Sequence, residues 1–351
     1  MSSLQRSSSQ RRHCVGHTVQ VTAPAGVVYG LLADAPRWPV LLPSYIHVER
    51  VDADSAGDRL RLWRLRHGQV RCVLARRVLH PAQRRIEFEH QDSSAPDAST
   101  YGSWNVSPDG AGRCLVTLHQ ENPDPPGTPD TPGPPGTSEV PDALGVPGAS
   151  GGSGGSDELG VFEGQVRAEL AAVREAAERW DRLDELLLSF EDSLYVGGSP
   201  EIVYDFLYRI GDWVDLVPHV ERVEVGEDQP GVQRTVLHTS DPGTGDTVVS
   251  EGVRLCFPAA GRIVHRQTVT PDPVAAHCGE WYLEPDARGV RVACLHQVML
   301  RESAVEFAPG TGAGVLPVDA RRQVREWLGR TSTEVLTLAR WHAESALRRL
   351  R

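Results

Sequence analysis

The sequence predicts an α+β fold built twice, with an antiparallel sheet and one long closing helix in each copy. The first supporting observation is an internal repeat. Two blocks of the first half return in the second at nearly constant offset, through the pairs Tyr29 and Tyr204, Trp38 and Trp213, Pro43 and Pro218, Arg77 and Arg254, Trp104 and Trp281, and His119 and His296. The second observation is that alternating strands precede an amphipathic helix in each half. Together they indicate a duplicated domain, so function is inferred from one copy and compared with the other.

Each copy is predicted to open with a strand and to continue into a helix that starts at Pro24 or Pro200. Proline suits the first turn of a helix, where its missing N–H is not needed. A Trp-x-x-x-x-Pro turn follows. The strands of the first copy are expected at residues 18–22, 59–66, 70–79, 84–90, 99–107 and 113–120. Alternation slips between Leu62 and Trp63, which predicts a bulge or a strong twist there.

A segment rich in Pro, Gly, Ser and Thr at residues 122–156 is too poor in apolar residues to order itself. The closing helix of the first copy follows this segment. Its amphipathic stripe consists of Val166, Leu170, Val173, Ala177, Trp180, Leu183 and Leu187. We therefore expect an insertion inside the first domain and not a linker between domains. The expected boundaries are 13–190 and 191–351, after a disordered tail at residues 1–12.

The composition excludes several functional classes. The 351 residues contain no uninterrupted run of about 18 apolar residues, so no transmembrane helix and no membrane partner is expected. The N-terminus lacks the apolar region of a secretory signal, which predicts a cytoplasmic protein. A net charge of -11 argues against nucleic acid as a partner. The chain has no lysine, which excludes Schiff-base chemistry.

The cysteines indicate neither a disulfide framework nor a metal site. Six are scattered along the chain without any Cys-x-x-Cys pair. We therefore expect reduced thiols and no bound metal. Arginines cluster between Arg59 and Arg85, where they form either a basic patch for an acidic partner or a solvated strand face.

Arg77 is the first candidate functional residue. Its counterpart Arg254 lies, at a spacing of two, beside the small residues Ser250, Gly252 and Cys256. A guanidinium that faces an interior needs a partner, because an unpaired buried charge is costly. That partner is either a carboxylate of the fold or an oxygen atom of a ligand, and the pattern leaves both open.

Tyr45 is the second candidate. It lies seven residues after Trp38, and its counterpart is Val220, so this hydroxyl belongs to the first copy alone. A tyrosine in a half-apolar turn more often serves packing than chemistry.

Repeated aromatic and histidine residues complete the candidates. The four tryptophans serve either as core or as cavity walls: Trp38, Trp104, Trp213 and Trp281. His119 and His296 fall at equivalent strand positions in the two copies, where a structural role is the commoner one.

Two motifs near the start of the first copy carry a resemblance to a known family. Val-x-Ala-Pro-x-x-x-Val-Tyr ends at Tyr29, and Trp-Pro-x-Leu-x-Pro-x-Tyr ends at Tyr45. With Arg77, the Trp-x-x-x-Pro block at Trp104 and the closing helix, they resemble the START/Bet v 1-like polyketide cyclase superfamily. The tandem arrangement is similar to the di-domain aromatase/cyclases of bacterial type II polyketide synthases.

The resemblance implies a helix-grip fold, in which a curved antiparallel sheet surrounds the long C-terminal helix and encloses a deep cavity. It implies an enzyme of antibiotic biosynthesis that acts on a poly-β-keto chain tethered to an acyl carrier protein. The enzyme would close the first ring by an aldol reaction and aromatise it by dehydration, without a cofactor. The implied partners are the carrier protein and the other synthase subunits. Arg64 and Arg66, near the expected cavity mouth, would receive the acidic carrier protein.

The resemblance also implies roles for the candidates. Arg77, and Arg254 in the second copy, would anchor and polarise a carbonyl oxygen, because arginine keeps its charge near neutral pH. Tyr45 would donate or relay a proton, and His119 is a candidate proton acceptor. The repeated tryptophans and histidines would line the cavities and contact the substrate. Since only the first copy has Tyr45, the first domain is expected to be the principal reaction chamber.

Two other functions remain open. A non-catalytic carrier of lipids or small molecules would have the same fold and would release its ligand unchanged. A structural member of a synthase complex would keep only vestigial pockets.

Overall fold

The computed structural model describes residues 12–54, 57–66, 68–92, 95–123, 154–240, 245–304 and 317–349. The expected tail and most of the 122–156 segment lie outside these residues. Within them, the chain forms two seven-stranded antiparallel sheets that follow one another in sequence. No helix in this part of the chain combines the length and apolar character needed to cross a bilayer.

The first domain begins with the strand and the helices that lead into its sheet, β1 (Arg12–Val21), α1 (Ala25–Ala33) and α2 (Trp38–Leu41). The strands that follow are β2 (Tyr45–Ala53), β3 (Gly57–Arg66), β4 (Gln69–His80), β5 (Arg85–Asp92), β6 (Ala95–Pro108) and β7 (Cys114–Pro123). The domain closes with α3 (Gly154–Glu178) and the short α4 (Leu183–Leu186). Its strand order is β1-β7-β6-β5-β4-β3-β2.

The second domain repeats this order of elements. It begins with β8 (Leu187–Val196), α5 (Pro200–Tyr208) and α6 (Trp213–Leu216). Its remaining strands are β9 (Val220–Gln229), β10 (Val232–Ser240), β11 (Thr247–Phe257), β12 (Arg262–Val269), β13 (Val274–Pro285) and β14 (Val290–Leu300). The closing helix is α7 (Pro317–Arg349), and the strand order is β8-β14-β13-β12-β11-β10-β9.

Two boundaries differ from the sequence pattern. The pattern places Tyr45 in a turn, but this residue begins the edge strand β2. β2 escapes prediction because its second half is exposed and charged, which hides the alternation of a strand. The second sheet already begins at Leu187, whereas the sequence pattern begins its first strand near Phe190.

The closing helices fill the concave side of each sheet. Val166, Leu170 and Val173 of α3 are buried, and the helix packs against β1 and β7. The helix α7 packs in the same way against β8 and β14. The stripe ends earlier than predicted, because α3 stops at Glu178 and Trp180 is exposed. A sheet wrapped around one long helix is the helix-grip fold that the resemblance implies.

The slip of alternation at Trp63 comes from contact between the domains. The register of β3 with β4 is regular, and the irregularities lie instead in β2, between Tyr45 and His47 and between Arg50 and Asp52. Trp63 is buried on the outer face because its ring packs edge-on against Phe257 of the second domain, with ring centroids 5.4 Å apart. The strand is therefore buried on both faces at this point.

Candidate active site

Arg77 is held by the fold itself. Its Nε and Nη2 donate to the two carboxylate oxygens of Asp58 at 2.7 and 2.6 Å. Nη1 and Nη2 donate to the backbone oxygens of Leu32 and Ala33, both at 2.9 Å. The guanidinium, 3% exposed, lies 5.3 Å from the ring centre of Trp38. Of the two partners that the sequence leaves open, the structure shows the carboxylate, so Arg77 ties α1 to β3 and β4.

Arg254 makes the same backbone contacts without the carboxylate. It donates to the backbone oxygens of Leu207 and Tyr208. The residue across the strand pair is Gln233, which replaces Asp58 and accepts a hydrogen bond from Nη1 at 2.6 Å. Burial lowers the pKa of Arg254 below its usual value. The guanidinium is therefore held by neutral groups, and it lines a cavity of the second domain.

A second buried arginine forms the centre of the first domain. Arg64 on β3 donates from Nη2 to Oε2 of Glu169 on α3 at 2.7 Å. Tyr45 donates its hydroxyl hydrogen to Oε1 of the same carboxylate at 2.6 Å. The guanidinium of Arg64 lies 4.7 Å from the ring centre of Tyr45. Tyr45, Arg64 and Glu169, which we call the first-domain cluster, thus bridge the sheet and the closing helix.

The protonation of the first-domain cluster follows from its geometry. Burial raises the pKa of Tyr45 far above its usual range, although Arg64 opposes this, so the phenol keeps its proton. Burial raises the pKa of Glu169, but Arg64 and the hydrogen bond from Tyr45 bring it below its usual value. Glu169 is therefore ionised near neutral pH. Nε and Nη1 of Arg64 are buried and have no hydrogen-bond partner among the described residues, which leaves two donors for a ligand.

The expectation that Arg64 receives a carrier protein at the cavity mouth is wrong. Only 3% of the residue is exposed, because Arg64 shares the inward face of β3 with Leu60 and Leu62. Its neighbour Arg66 is half-buried. Residues at a spacing of two share one face of a strand, so Arg64 falls on the same face as Leu60 and Leu62. This alternation is the sequence signal that would have placed Arg64 inside.

The sequence pattern did not single out two interior residues, Glu169 and His90. Glu169 precedes Leu170 of the apolar stripe, so a carboxylate beside that stripe was the available signal. His90 lies on β5, where burial, followed by the effect of Arg64, lowers its pKa to about 3. Its ring stacks on Phe88 at 4.5 Å.

Trp38 and Trp104 belong to the buried core that contains Tyr45. The indole of Trp38 donates from Nε1 to the backbone oxygen of Leu31 at 3.0 Å, and its ring lies 4.8 Å from that of Tyr45. The second domain repeats this anchor, since Trp213 donates to the backbone oxygen of Phe206 at 3.1 Å. Trp38 therefore fixes one side of the Tyr45 ring.

The repeated Leu-His-Gln motif is out of register in the structure. Trp104 pairs with Leu118, but its counterpart Trp281 pairs with Cys294 instead of Leu295. The turn before the last strand is one residue shorter in the second domain. A shift of one residue moves every side chain of a strand to the opposite face.

The two motif histidines consequently face opposite ways. His119 is exposed on the outer face of β7, where it packs beside Gly16, so its assignment as a substrate or proton-accepting residue is wrong. Its neighbour Gln120 is buried and takes the inward position. His296 is buried and lines the cavity of the second domain.

That cavity, with a volume of about 160 Å³, lies between the second sheet and α7. It brings together four predicted residues, Trp213, Arg254, Trp281 and His296. Three further histidines line it that the sequence did not single out, His219, His265 and His277. Among the described residues, no group of His, Cys, Asp or Glu side chains is arranged to hold a metal ion.

The first-domain cluster has no equivalent in the second domain. Tyr45 pairs with Arg64 across β2 and β3, and the corresponding pair across β9 and β10 is Val220 with Thr239. The backbone N–H after the first strand of each domain donates to a glutamate of its closing helix, Thr22 to Glu178 and Gly197 to Glu344. Glu169 precedes Glu178 by the same number of residues as Val335 precedes Glu344, so Val335 occupies the position of Glu169.

The histidines of the second domain are equally unmatched in the first. The pairing of β12 with β13 sets His265 opposite Gly279, where the first domain has Phe88 opposite Gly102. The same register places Thr100 at the position of His277, and Gln120 at that of His296. The two copies therefore share a fold but carry different polar groups in their interiors.

The chain is similar to known proteins over almost its whole length. A family model described as "Polyketide cyclase / dehydrase and lipid transport" matches residues 12–178. The actinorhodin polyketide synthase bifunctional cyclase/dehydratase of Streptomyces coelicolor is 32% identical over 333 residues, which cover 92% of this chain and 95% of that protein. A granaticin polyketide synthase bifunctional cyclase/dehydratase from Streptomyces violaceoruber is 28% identical over 341 residues, 96% of this chain and 95% of that protein.

Solved structures agree with these relatives. The di-domain ARO/CYC BexL, from the BE-7585A biosynthetic pathway, has 29% identity and a TM-score of 0.75, and covers 95% of this chain and 99% of its own. The di-domain ARO/CYC StfQ, from the steffimycin pathway, has 26% identity and a TM-score of 0.73 at the same coverage. The fold is duplicated, and the relatives and solved structures match the chain over both of its domains. The chain therefore belongs to the polyketide cyclase/dehydratase family, in its di-domain aromatase/cyclase form.

Proposed function

We propose that the protein closes the first ring of a poly-β-keto chain tethered to an acyl carrier protein, and that the first domain is the chamber for this step. The observation that carries the proposal is the pair of unpartnered N–H donors of Arg64 beside Tyr45 and Glu169. A poly-β-ketone offers carbonyl oxygens on alternate carbons, so it suits buried donors at a fixed position. The apolar walls around them would fold the chain into one conformation.

The first-domain cluster supplies what an aldol ring closure needs. Glu169 takes a proton from a methylene group between two carbonyls, and Arg64 stabilises the enolate oxygen that forms. The enolate carbon attacks a second carbonyl and forms the C–C bond. Tyr45 gives its proton to the new alkoxide and recovers one from Glu169 across their 2.6 Å hydrogen bond. Every group then returns to its starting protonation.

Arg77 acts in this proposal as a positioning residue. It holds the end of α1 through the backbone oxygens of Leu32 and Ala33, and it lies against the ring of Trp38. Trp38 in turn contacts Tyr45. This assigns the oxygen-binding role of the sequence prediction to Arg64.

The proposed reaction needs no cofactor. Aldol closure makes one C–C bond, and aromatisation removes water, and neither step oxidises or reduces the chain. The residues of the two interiors supply only proton transfer and hydrogen bonding, which is the chemistry that both steps require.

The names of the relatives, which place those proteins in polyketide synthases, support a proposal for the partners. We propose that the protein works beside the subunits of a type II synthase and receives its substrate on the acyl carrier protein. Arg59 and Arg76 are exposed on the outer face of β3 and β4, on the side away from Arg64. They are the basic residues that we assign to an acidic carrier in place of Arg64.

A second candidate function is a non-catalytic carrier of lipids or small molecules. The observation that favours it is the family description, which includes lipid transport. A carrier needs an apolar cavity and an anchor for a polar head, and the second-domain cavity with Arg254 would serve. It does not need an ionised carboxylate and a phenol beside a buried guanidinium.

Reconstitution separates the two functions. The full-length protein would be added to a minimal synthase and a ketoreductase, and the products would be identified by liquid chromatography and mass spectrometry. The proposed enzyme shifts the products from misfolded shunt compounds to a chain with one aromatic ring. An unchanged product distribution, together with binding and release of the intact chain, would instead establish the carrier.

A further inference from the structure

Three histidines form a connected group in the interior of the second domain. Nε2 of His277 lies 3.0 Å from Nδ1 of His296, within hydrogen-bond distance. Sγ of Cys294 lies 3.3 Å from Nε2 of His296. The ring of His265 meets that of His277 edge-on, with centroids 5.3 Å apart. We call His265, His277 and His296 the histidine triad.

The two contacts of His296 are coupled to each other. Burial raises the pKa of Cys294 well above its usual value, so the thiol keeps its proton beside Nε2 of His296. A neutral imidazole carries its hydrogen on one ring nitrogen and accepts at the other, so the tautomer of His296 sets the direction of both contacts.

All three imidazoles are neutral near neutral pH. Burial lowers the pKa of His277 and His296 to about 3, and it lowers that of His265 well below its usual value. The cations that face the triad act in the same direction, Arg254 on His265 and Arg325 of α7 on His296. A neutral imidazole has one donor and one acceptor, so it can both take and give a proton.

The fold does not require these histidines. The first domain builds the same three sheet positions with Phe88, Thr100 and Gln120. All three triad members line the cavity of about 160 Å³, an order of magnitude larger than the roughly 10–15 Å³ that a single water needs. Nδ1 of His265 is buried and has no hydrogen-bond partner among the described residues. A buried ring nitrogen without a partner, on a residue that lines the cavity, is suited to a ligand.

We propose that the second domain is a separate acid–base site, in which the histidine triad removes water from the ring-closed β-hydroxyketone. The proposal rests on the function proposed for the first domain, which makes this compound. The substrate class follows from the chemistry of the triad. Neutral proton donors and acceptors in a cavity with apolar walls suit a neutral β-hydroxyketone, whose elimination needs one proton removed and one delivered.

The step balances without any co-reactant. Nδ1 of His265 takes the proton from the carbon beside the ketone, and the imidazolium forms next to His277. The C–O bond to the hydroxyl group breaks and the C=C bond forms. The imidazolium gives its proton to the departing hydroxyl, so water leaves and His265 is neutral again. His277 and His296 act as positioning residues: His277 packs edge-on against the ring of His265, and His296 contacts His277.

Two substrates given to the same protein test the division of labour. The synthase-bound poly-β-keto chain reports ring closure, and a preformed ring-closed β-hydroxyketone reports water loss alone. We expect His265→Gln to slow water loss from the preformed compound roughly 10²-fold or more, which is the scale of general acid–base catalysis. From the poly-β-keto chain, the same variant should accumulate a cyclic product heavier by one water.

Matched variants exclude a general loss of structure. Arg64→Met in the first domain should show the opposite pattern, with ring closure lost and water loss from the preformed compound kept. His119→Gln, an exposed histidine on the outer face, should leave both rates unchanged. Because His277 acts through His265, His277→Gln should lower kcat more than it raises KM. It should also shift the pH profile of water loss, which a merely structural role would leave in place.

The outcomes are distinguishable. If His265→Gln and His277→Gln removed water at the wild-type rate, the inference would be overturned while the proposed ring closure stood. If the wild-type protein closed no ring but still removed water from the preformed compound, the proposed function would fail and the triad would stand. Should His265→Gln not fold by circular dichroism, His265→Asn and His296→Gln provide the same comparison.

Discussion

Nε of Arg266, in the second domain, donates a 2.8 Å hydrogen bond to the backbone oxygen of Pro39 in the first domain. Nη1 of the same guanidinium donates to the backbone oxygen of Pro43, also at 2.8 Å. Both carbonyls belong to the segment that runs from Trp38 to Tyr45. The second domain therefore holds the backbone that presents both residues to the interior of the first.

Replacement of Arg266 by methionine should weaken the first domain from outside it. The buried carbonyls of Pro39 and Pro43 would lose charged donors, which costs about 3 kcal/mol of unfolding free energy. Because Tyr45 ends this segment, ring closure should slow as well, while water loss in the second domain should change less. Thermal unfolding and the two-substrate assay measure these effects. Arg222→Met, which removes an exposed pair with Glu224, is the control. Equal effects of the two variants would contradict the role of Arg266.

Arg64→Met should abolish most of the ring-closing activity. Loss of one fixed donor to a developing oxyanion costs about 10²–10³-fold in rate. The variant also leaves the buried charge of Glu169 unpaired, at a cost of about 3–5 kcal/mol. The double variant Arg64→Met/Glu169→Gln should recover stability but not activity, since the unpaired charge is gone but both the donor and the proposed base are missing.

The matched control for this series is Arg167→Met, on the same helix as Glu169. Arg167 forms an exposed pair with Glu163, and such pairs contribute little to stability. Unfolding in denaturant and the rate of ring closure are the two readouts. Recovery of activity in the double variant would rule out Arg64 as the donor.

The duplication predicts the fold well because the buried side of each strand and helix repeats with it. It predicts the interiors poorly, because copies of one fold need the same shape but not the same polar groups. The motif that contains His119 and His296 is the clearest case. The turn before the last strand is one residue shorter in the second domain, so His296 faces inward while His119 faces outward. The identical residues of the two motifs do not reveal this difference.

The partners of the candidate residues also lie beyond what the sequence reveals. Asp58 meets Arg77 only once β3 and β4 pair, and Glu169 reaches Tyr45 from a helix 124 residues away. The alternation of buried and exposed residues along β3 would have identified Arg64 as inward-facing. Trp63 interrupts this alternation, because it is buried on the outer face by contact with the second domain.

Tyr45→Phe should separate proton transfer from packing. The ring and its contact with Trp38 remain, so the unfolding free energy should fall by only about 1 kcal/mol, the contribution of one hydrogen bond. The relay to the alkoxide is lost, and ring closure should slow roughly 10²-fold. Tyr195→Phe, which removes a hydroxyl that donates to Asp286 on the surface, should change neither quantity. A rate within twofold of wild type would remove Tyr45 from the mechanism.

The buried histidines predict acid sensitivity of the whole fold. In the unfolded chain a histidine takes up a proton below about pH 6.5, whereas folded His277 and His296 do so only near pH 3. Between these values the unfolded state binds more protons, so stability falls as the pH is lowered. Each buried histidine contributes a loss of about 1.4 kcal/mol per pH unit.

The double variant His277→Gln/His296→Gln should therefore flatten the loss of unfolding free energy between about pH 6.5 and pH 4. Denaturant unfolding at a series of pH values measures this slope. Glu169 adds to the acid sensitivity at lower pH, since its lowered pKa gives stability that is complete above about pH 4.5 and lost as the carboxylate is protonated. The two contributions are separable because Glu169→Gln alters only the more acidic part of the curve. A double variant with the wild-type slope would show that these histidines are protonated in the folded state, and the neutral triad would have to be abandoned.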